Sequence, residues 1–516
     1  MRLPRLAPVI AALALLAVLA PGAGAATAAD DDCPACAGFA RHQPLVEPRQ
    51  HPSMGGELAV TLTARLTQTT IGGREVVSQV YNGQFPGPSL VASPGDTVRV
   101  HLRNRLRPNY LPYGASSEDP PPLFPGQPYA GFPQPLGNPT NLHVHGMHVS
   151  PKAPSDDVLL NIAPGEDYRY RYEIPADHPA GLFWYHPHRH EYTDQQVGAG
   201  QAGMIIVRGG LDDVPGVGDL RERLLVFQNI QIRDGVATSS QYQTPEHRLI
   251  TINGQVQPRI ALRPGETQRW RVANASSERF LSLEVPGGGV ELRRLAIDGN
   301  TLDRPQRIDR IWLAPGQRAE VLVRAGSEPG DFALVQQKFN QRPTPYGKQP
   351  RVTVATLRIA GQAQEPRPFP RVLREDAQRD LRGPGTAIAK RRTIVLSQSP
   401  PKFFINNQLF HEGGGHHGGG GPVFQVKVGT VEEWTIRNAS PEWHNFHIHI
   451  NDYQVVARNG VRVAGQPIWM DSIGIRPGHS VTLRLPFDDF DGTWVFHCHV
   501  LVHEDHGMMA LVEATR

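Results

Sequence analysis

Apolar and polar residues alternate with a period of two in short runs along this chain, and long amphipathic helical patterns are absent. The clearest runs follow a Gly-led turn, and this unit occurs six times. It is seen at Pro94-Gly95-Asp96, Pro164-Gly165-Glu166, Pro264-Gly265-Glu266, Pro315-Gly316-Gln317, Val428-Gly429-Thr430 and Pro477-Gly478-His479. A turn that opens into period-two alternation predicts a strand with one buried face. Three of the six units end in Asn (Asn104, Asn274, Asn438). Two copies in each third of the chain predict one β-sandwich used three times.

The pattern places sandwiches at 55–210, 220–360 and 393–516. An N-terminal arm (29–54) precedes them, and a charged, Pro-containing linker (361–392) wraps between the second and third. Arg107 to Pro139 holds ten prolines and reads as a long surface loop. Residues 1–28 read as a signal peptide: Arg2 and Arg5, a nearly unbroken apolar stretch Leu6–Ala20, then Ala23-Gly24-Ala25 or Ala26-Thr27-Ala28 as cleavage site. Without a twin-Arg pair the expected route is general secretion, to the periplasm or the extracellular medium. No later segment reaches the eighteen apolar residues of a membrane span, so no integral membrane segment is expected.

Composition narrows the chemistry. Fifty-two Lys+Arg against 49 Asp+Glu leave +3 with no basic block, which argues against a nucleic-acid partner. Three Cys exclude a disulfide framework and a Cys₄ zinc protein. Histidine is unusual in number, at 22, and in placement: the middle third holds only His247.

Random placement would give roughly one His-x-His pair; the chain has five: His143/His145, His186/His188, His188/His190, His447/His449 and His497/His499. On a strand, residues two apart share a face, so each pair can present two imidazoles to one place. Cys498 between His497 and His499 would point the other way, so one strand can serve two metal sites. Imidazole with thiolate narrows the metal to copper or zinc. Cys498 with His444, His503 and Met508 has the blue-copper composition of one Cys, two His and a weak axial Met.

These motifs resemble those of the multicopper oxidases of the three-cupredoxin-domain, bacterial laccase-like type. The resemblance covers 55–516 and is carried by His143-Val144-His145-Gly146, Trp184-Tyr185-His186-Pro187-His188, His444-Asn445-Phe446-His447-Ile448-His449, and His497-Cys498-His499 through His503 to Met508. It implies an all-β chain of three consecutive cupredoxin-like Greek-key β-sandwich domains. It also implies four copper ions. His444, Cys498, His503 and Met508, taken over Met509 by position, would bind type 1 copper. His143 and His447 would hold type 2. His145, His186 and His499 on one side, and His188, His449 and His497 on the other, would hold the type 3 pair. The trinuclear cluster would then lie between the first and third domains, with the second as a copper-free spacer.

Such a protein couples one-electron oxidation of a small-molecule or metal-ion reductant to four-electron reduction of O₂, and is expected to act as a monomer. The family places a proton-relay carboxylate where Glu504 stands and a second acid near type 2 copper, for which Asp156 is preferred to Asp157. Phenolic or aromatic donors are the expected substrates. The alternative is a cuprous or other metal-ion oxidase, disfavoured by only seven Met and by Phe410-His411-Glu412 where similar cuprous oxidases carry an Asp-Met pair. A non-catalytic copper-binding or scaffold protein is a minor alternative, since every family ligand is present. An axial Met implies a moderate redox potential. His190 receives no role and His506 is read as solvent-facing. Cys33-Pro34-Ala35-Cys36 is open between a disulfide and a metal-binding arm, and His411 to His417 with its glycines between accessory metal binding and filler.

Overall fold

The six Gly-led units become three copies of one arrangement. In each third of the chain the two strands that follow them lie side by side and antiparallel: Thr97–Arg105 with Asp167–Glu173, Thr267–Asn274 with Arg318–Ala325, and Thr430–Asn438 with Ser480–Phe487. The computed structural model describes residues 33–107, 138–233, 235–239, 248–342, 347–412 and 419–516. The leader, most of the Arg107–Pro139 loop, His247 and the centre of the His/Gly run lie outside the described residues.

The repeated Asn explains why the pair recurs. Each stands at the end of the first strand of its pair or one residue before it, and its backbone C=O accepts from the turn glycine of the second, at 2.8, 2.8 and 3.1 Å for Gly165, Gly316 and Gly478. Its side chain closes the corner: Nδ2 donates to Ile162 O, Leu313 O or Ile475 O, and Oδ1 accepts from the backbone two residues on. All three are fully buried, so these bonds replace water that cannot reach them. Four residues before each Asn, Val100, Trp270 and Trp434 point into their own cores. The apolar face of each alternating run thus becomes the filling of one sandwich, every buried aliphatic side chain contributing about 1.5–3 kcal/mol.

The first sandwich faces a five-stranded sheet (Gln50–Pro52, Ser89–Ala92, Gly203–Val207, Gly181–His186, His143–His145) against four strands of an eleven-stranded sheet. That large sheet continues into the second sandwich through the parallel contact of Val77 with Val236. In the third, a seven-stranded sheet packs on a five-stranded one ordered Val423–Lys427, Met509–Thr515, Gly492–Cys498, His444–Ile448, Ser472–Ile475. The N-terminal arm is partly ordered structure: Gln50–Pro52 adds a parallel strand to Ser89–Ala92, and Cys33 and Cys36 form a disulfide. The last three residues assigned to the linker, Lys390 to Arg392, already belong to the first strand of the third sandwich, Lys390–Ser399.

Two short helices, Thr193–Ala199 and Leu501–Asp505, meet where the first and third sandwiches touch. Asp505 accepts from the backbone N–H groups of Thr193 and Asp194 at 3.3 and 2.8 Å, which caps the first helix from another part of the chain. Among the described residues no helix is long and apolar enough to cross a membrane.

Candidate metal centre

The strand His444–Ile448 pairs antiparallel with Gly492–Cys498, so that Cys498 lies opposite Phe446 and His497 opposite His447. Side chains alternate across a strand, so this register puts Cys498 on the face of His444 and His497 on the face of His447. The two faces build two sites.

On the Cys498 face, Sγ lies 3.4 Å from His444 Nδ1 and 3.5 Å from His503 Nδ1, and the two nitrogens are 3.0 Å apart. The short helix after the strand brings His503 back beneath Cys498, and Asn445 N–H donates to the sulfur at 3.4 Å. Met508 is buried in the same core as Cys498 and Phe403. Met509 pairs opposite His497 and packs with Val158, Phe410 and Val495 on the other side. Of the far nitrogens, His444 Nε2 meets Ser440 Oγ at 2.6 Å, and His503 Nε2 faces the Glu442 carboxylate across 3.6 Å. Burial pushes the Cys498 thiol up to about 12, so a metal must displace its proton. Burial would raise Glu442 too, but His503, Arg342 and His444 hold it down to about 2.

On the opposite face, eight imidazoles converge from two sandwiches. His143–His145 pairs antiparallel with the end of Gly181–His186, His143 opposite His186, and His188 follows. The third sandwich supplies His447, His449, His497 and His499. His188 Nε2 and His497 Nε2 are 3.0 Å apart, and His449 Nε2 is 3.3 Å from the same atom. His145 and His447 stack at 3.8 Å, as do His143 and His449. Sets whose ligand atoms lie within 4.8 Å of one another include His143/His145/His186, His143/His447/His449, His188/His449/His497 and His444/Cys498/His503.

Bare imidazoles do not gather this way unless something sits among them. His143 Nε2, His145 Nδ1, His186 Nε2, His447 Nε2 and both nitrogens of His499 are buried without a hydrogen-bond partner. The second nitrogen of four of these is tied down: His143 Nδ1 to Asp156 at 2.9 Å, His145 Nε2 to Asp471 at 3.2 Å, His186 Nδ1 to Pro187 O at 2.8 Å and His447 Nδ1 to Asp471 O at 3.0 Å. Metal-binding histidines are arranged in this way, one nitrogen oriented and the other left for the ion. Burial, then repulsion among neighbours, drives His143, His145, His449 and His499 well below the usual imidazole range, which keeps them neutral as ligands must be. The residues present therefore fit copper.

Of the acids expected from sequence, Asp156 meets His143 and also accepts from Val144 N–H at 3.0 Å, whereas Asp157 caps its own turn through Leu159 N–H. Glu504 lies between the two sandwiches, Oε2 3.0 Å from His497 Nδ1 and Oε1 3.5 Å from His188 Nδ1, with Thr193 Oγ1 donating to Oε1 at 3.1 Å. Burial raises the pKa of both acids. His190 is buried against Phe410, and His506 is half-buried with Nδ1 donating to Val502 O at 2.7 Å, so it faces solvent less than expected. Asp471, Glu442 and Ser440 are additions that the sequence pattern did not reveal. Asp471 reaches His447 across 24 residues and His145 across 326, and Ser440 acts from the turn before His444, so only a hydrophilic residue beside a motif strand could have flagged them.

Three family models, each described as multicopper oxidase, match residues 63–111 with 134–211, 228–360 and 391–515. The chain belongs to the multicopper oxidases. It is 22% identical over 453 residues to the multicopper oxidase mco of Staphylococcus haemolyticus (84% of this chain, 83% of that protein). It is 25% identical over 505 residues to the laccase of Bacillus subtilis (84% and 90%). A multicopper oxidase of Campylobacter jejuni, described as a metallo-oxidase, superposes with a TM-score of 0.73 at 23% identity, covering 93% of this chain and 96% of the other. This oxidase is accordingly a copper-dependent oxidoreductase that uses O₂, built from three cupredoxin-like sandwiches.

Proposed function

We propose that this oxidase is laccase-like: it takes electrons one at a time from small phenolic or aromatic donors and reduces O₂ with four electrons and four protons to two waters. The observation that carries the reading is the strand Gly492–Cys498 and its continuation, which present a thiol to one buried site and His497 and His499 to the other. Four coppers per chain are proposed, with His444, Cys498, His503 and Met508 at type 1, His143 and His447 at type 2, and His145, His186, His499 with His188, His449, His497 at the type 3 pair. When bound, copper supplies the one-electron redox chemistry that no side chain here can.

The chain's own contribution is connection, exclusion and protons. Cys498 is covalently joined to His497 and His499, so the polypeptide is the shortest link between the two sites. Burial of all eight cluster histidines excludes bulk water. Glu504 can hold a proton at Oε1 or Oε2 beside His188 and His497, and Asp156 one beside His143, within hydrogen-bond reach of the cluster. The proposal extends to export through the 1–28 leader and to action as a monomer.

The deciding experiment is oxygen uptake by copper-loaded protein with a phenol and with Cu(I), side by side. Faster turnover of the phenol supports the laccase-like reading. Turnover of Cu(I) alone would make it a metal-ion oxidase, and blue absorbance with no uptake on either would make it a copper-binding protein.

A further inference from the structure

The middle sandwich, expected as a spacer, reaches the histidine cluster directly. We propose that its Pro315–Arg318 turn is a working part of the dioxygen site, with Arg318 as the positioning residue that fixes Asp471 on His145 and His447. The inference rests on the ligand assignment above and adds to it a group from the sandwich that supplies no ligand.

Arg318 is 1% exposed and touches all three sandwiches. Its guanidinium forms a two-pronged ion pair with Asp471 (Nη1 to Oδ1 3.0 Å, Nη2 to Oδ2 2.7 Å). Nε donates to Leu182 O of the first sandwich at 3.1 Å, and Nη1 to Gly316 O of its own turn at 3.2 Å. Asp298 accepts the Arg318 backbone N–H at 2.9 Å and stands 3.6 Å from Nη1. Asp471 Oδ1 in turn lies 3.2 Å from His145 Nε2 and 3.5 Å from His447 Nδ1, and accepts Ser472 Oγ at 2.8 Å. Asp471 thus holds an imidazole from each outer sandwich, His145 through its carboxylate and His447 through its backbone C=O at 3.0 Å with the carboxylate beside it, and one arginine orients the carboxylate.

Stability alone is a poor reason to bury such a pair, because desolvation offsets most of the attraction and a well-packed apolar replacement would do as well. Two glycines leave room here, one for the pair and one for the imidazoles beside it. At Gly146, the last residue of the first histidine motif, a Cβ would overlap Arg318 Nη2 and come within 2.5 Å of Asp471 Oδ2. At Gly316, where φ is +81°, a Cβ would stand 2.9 Å from His145 Cε1 and 3.0 Å from His499 Nε2. The turn is also fastened to the copper-facing strand: Asn445 Nδ2, next to His444, donates to Pro315 O at 2.6 Å.

The test compares Arg318→Lys, Gly316→Ala and a control, Arg271→Lys, in the copper-loaded full chain. Lysine keeps the charge but has no fork to hold Asp471, Leu182 O and Gly316 O together. Arg271 is equally buried in the same sandwich, but its partners are Glu222, Glu320 and Asp212, none of which touches a histidine. The readouts are copper per chain under chelator competition, the type 2 electron-spin resonance signal and the blue type 1 absorbance. Arg318→Lys should keep the blue band while cluster copper binds about 10–100-fold more weakly and the type 2 signal shifts. Gly316→Ala, which keeps the ion pair but presses on His145 and His499, should weaken cluster copper binding and leave the blue band, and it decides the matter if Arg318→Lys does not fold. Arg271→Lys should lower Tm without changing either copper signal. Unaltered cluster affinity and signals in the Arg318 and Gly316 variants, or equal changes in the control, overturn the proposal. Wild-type protein with blue absorbance but no cluster copper would instead overturn the ligand assignment on which it stands.

Discussion

Cys498 and His497 are consecutive residues whose side chains leave opposite faces of one strand, Cys498 opposite Phe446 and His497 opposite His447. The separation of the two metal sites is therefore a property of a single peptide unit.

Cys498→Ser removes the thiolate but no imidazole of the cluster. The variant should lose the blue absorbance and the turnover of phenols while keeping the remaining copper, read by metal analysis and spin resonance. Normal phenol oxidation by this variant would end the proposed assignment.

Glu504→Gln keeps the shape and the acceptance from Thr193 Oγ1 but removes a titratable oxygen beside His188 and His497. Oxygen reduction should slow by about 10²–10⁴-fold, the usual worth of a positioned proton donor, with copper content and blue absorbance unchanged. Single-turnover reoxidation by O₂ checks this, since the slow step must lie after electron entry. Undiminished reoxidation would remove Glu504 from the relay.

Asn438→Ala strips the corner of the third sandwich. Its side chain donates to Glu442 O and Ile475 O and accepts from Ser440 N–H, all without access to water. Orphaning these groups should cost about 2–4 kcal/mol. Because Ser440 Oγ holds His444 Nε2, the blue band should weaken along with Tm. A stable variant with an intact band would contradict the corner's role.

His148 joins the first sandwich to the third: Nδ1 donates to Ile450 O at 2.6 Å and Nε2 faces Asp489 at 2.9 Å. Burial would lower its pKa, but Asp489, the Ile450 carbonyl and Asp452 raise it above 6.5, while Asp489 is itself held below 3.8 against burial by His148 and backbone N–H groups. A raised imidazole contributes stability that is full below its unfolded value and lost as pH rises through its folded one. A depressed carboxylate contributes above its unfolded value and loses this as pH falls. The contact should therefore be strongest between about pH 4 and 6.5, fading on either side. The Tm difference between wild type and His148→Gln, followed across pH, should peak in that window. A difference that grows above pH 8 would refute the assignment.

Much of this architecture is legible in the sequence. Period-two alternation after a Gly-led turn is a local property, because strand geometry sends every second side chain to the same face, so the threefold β-sandwich follows from Trp270, Trp434 and their neighbours without tertiary information. The His-x-His spacings work for the same reason: His143 and His145, or His497 and His499, share a face wherever their strand ends up. The resemblance prefers Met508 to Met509 and Asp156 to Asp157; in the structure Met508 is buried in the core that holds Cys498, and Asp156 meets His143 while Asp157 accepts from Leu159 N–H.

What no local pattern could carry is which distant groups stand behind the ligands. Asp471 meets His145 across 326 residues, Arg318 meets Asp471 across 153, and Glu504 faces His188 from another sandwich. Such contacts leave no periodicity, since one buried carboxylate or guanidinium is a single residue and its partner is chosen by how whole sandwiches pack. The sequence by itself determined the strands, their faces and the spacing of the histidines and the cysteine that the proposal takes as metal ligands. Only the tertiary structure decided that the histidine-poor middle third presses a glycine turn and an arginine against the cluster, because burial of a charge is settled by everything packed around it and not by its neighbours along the chain.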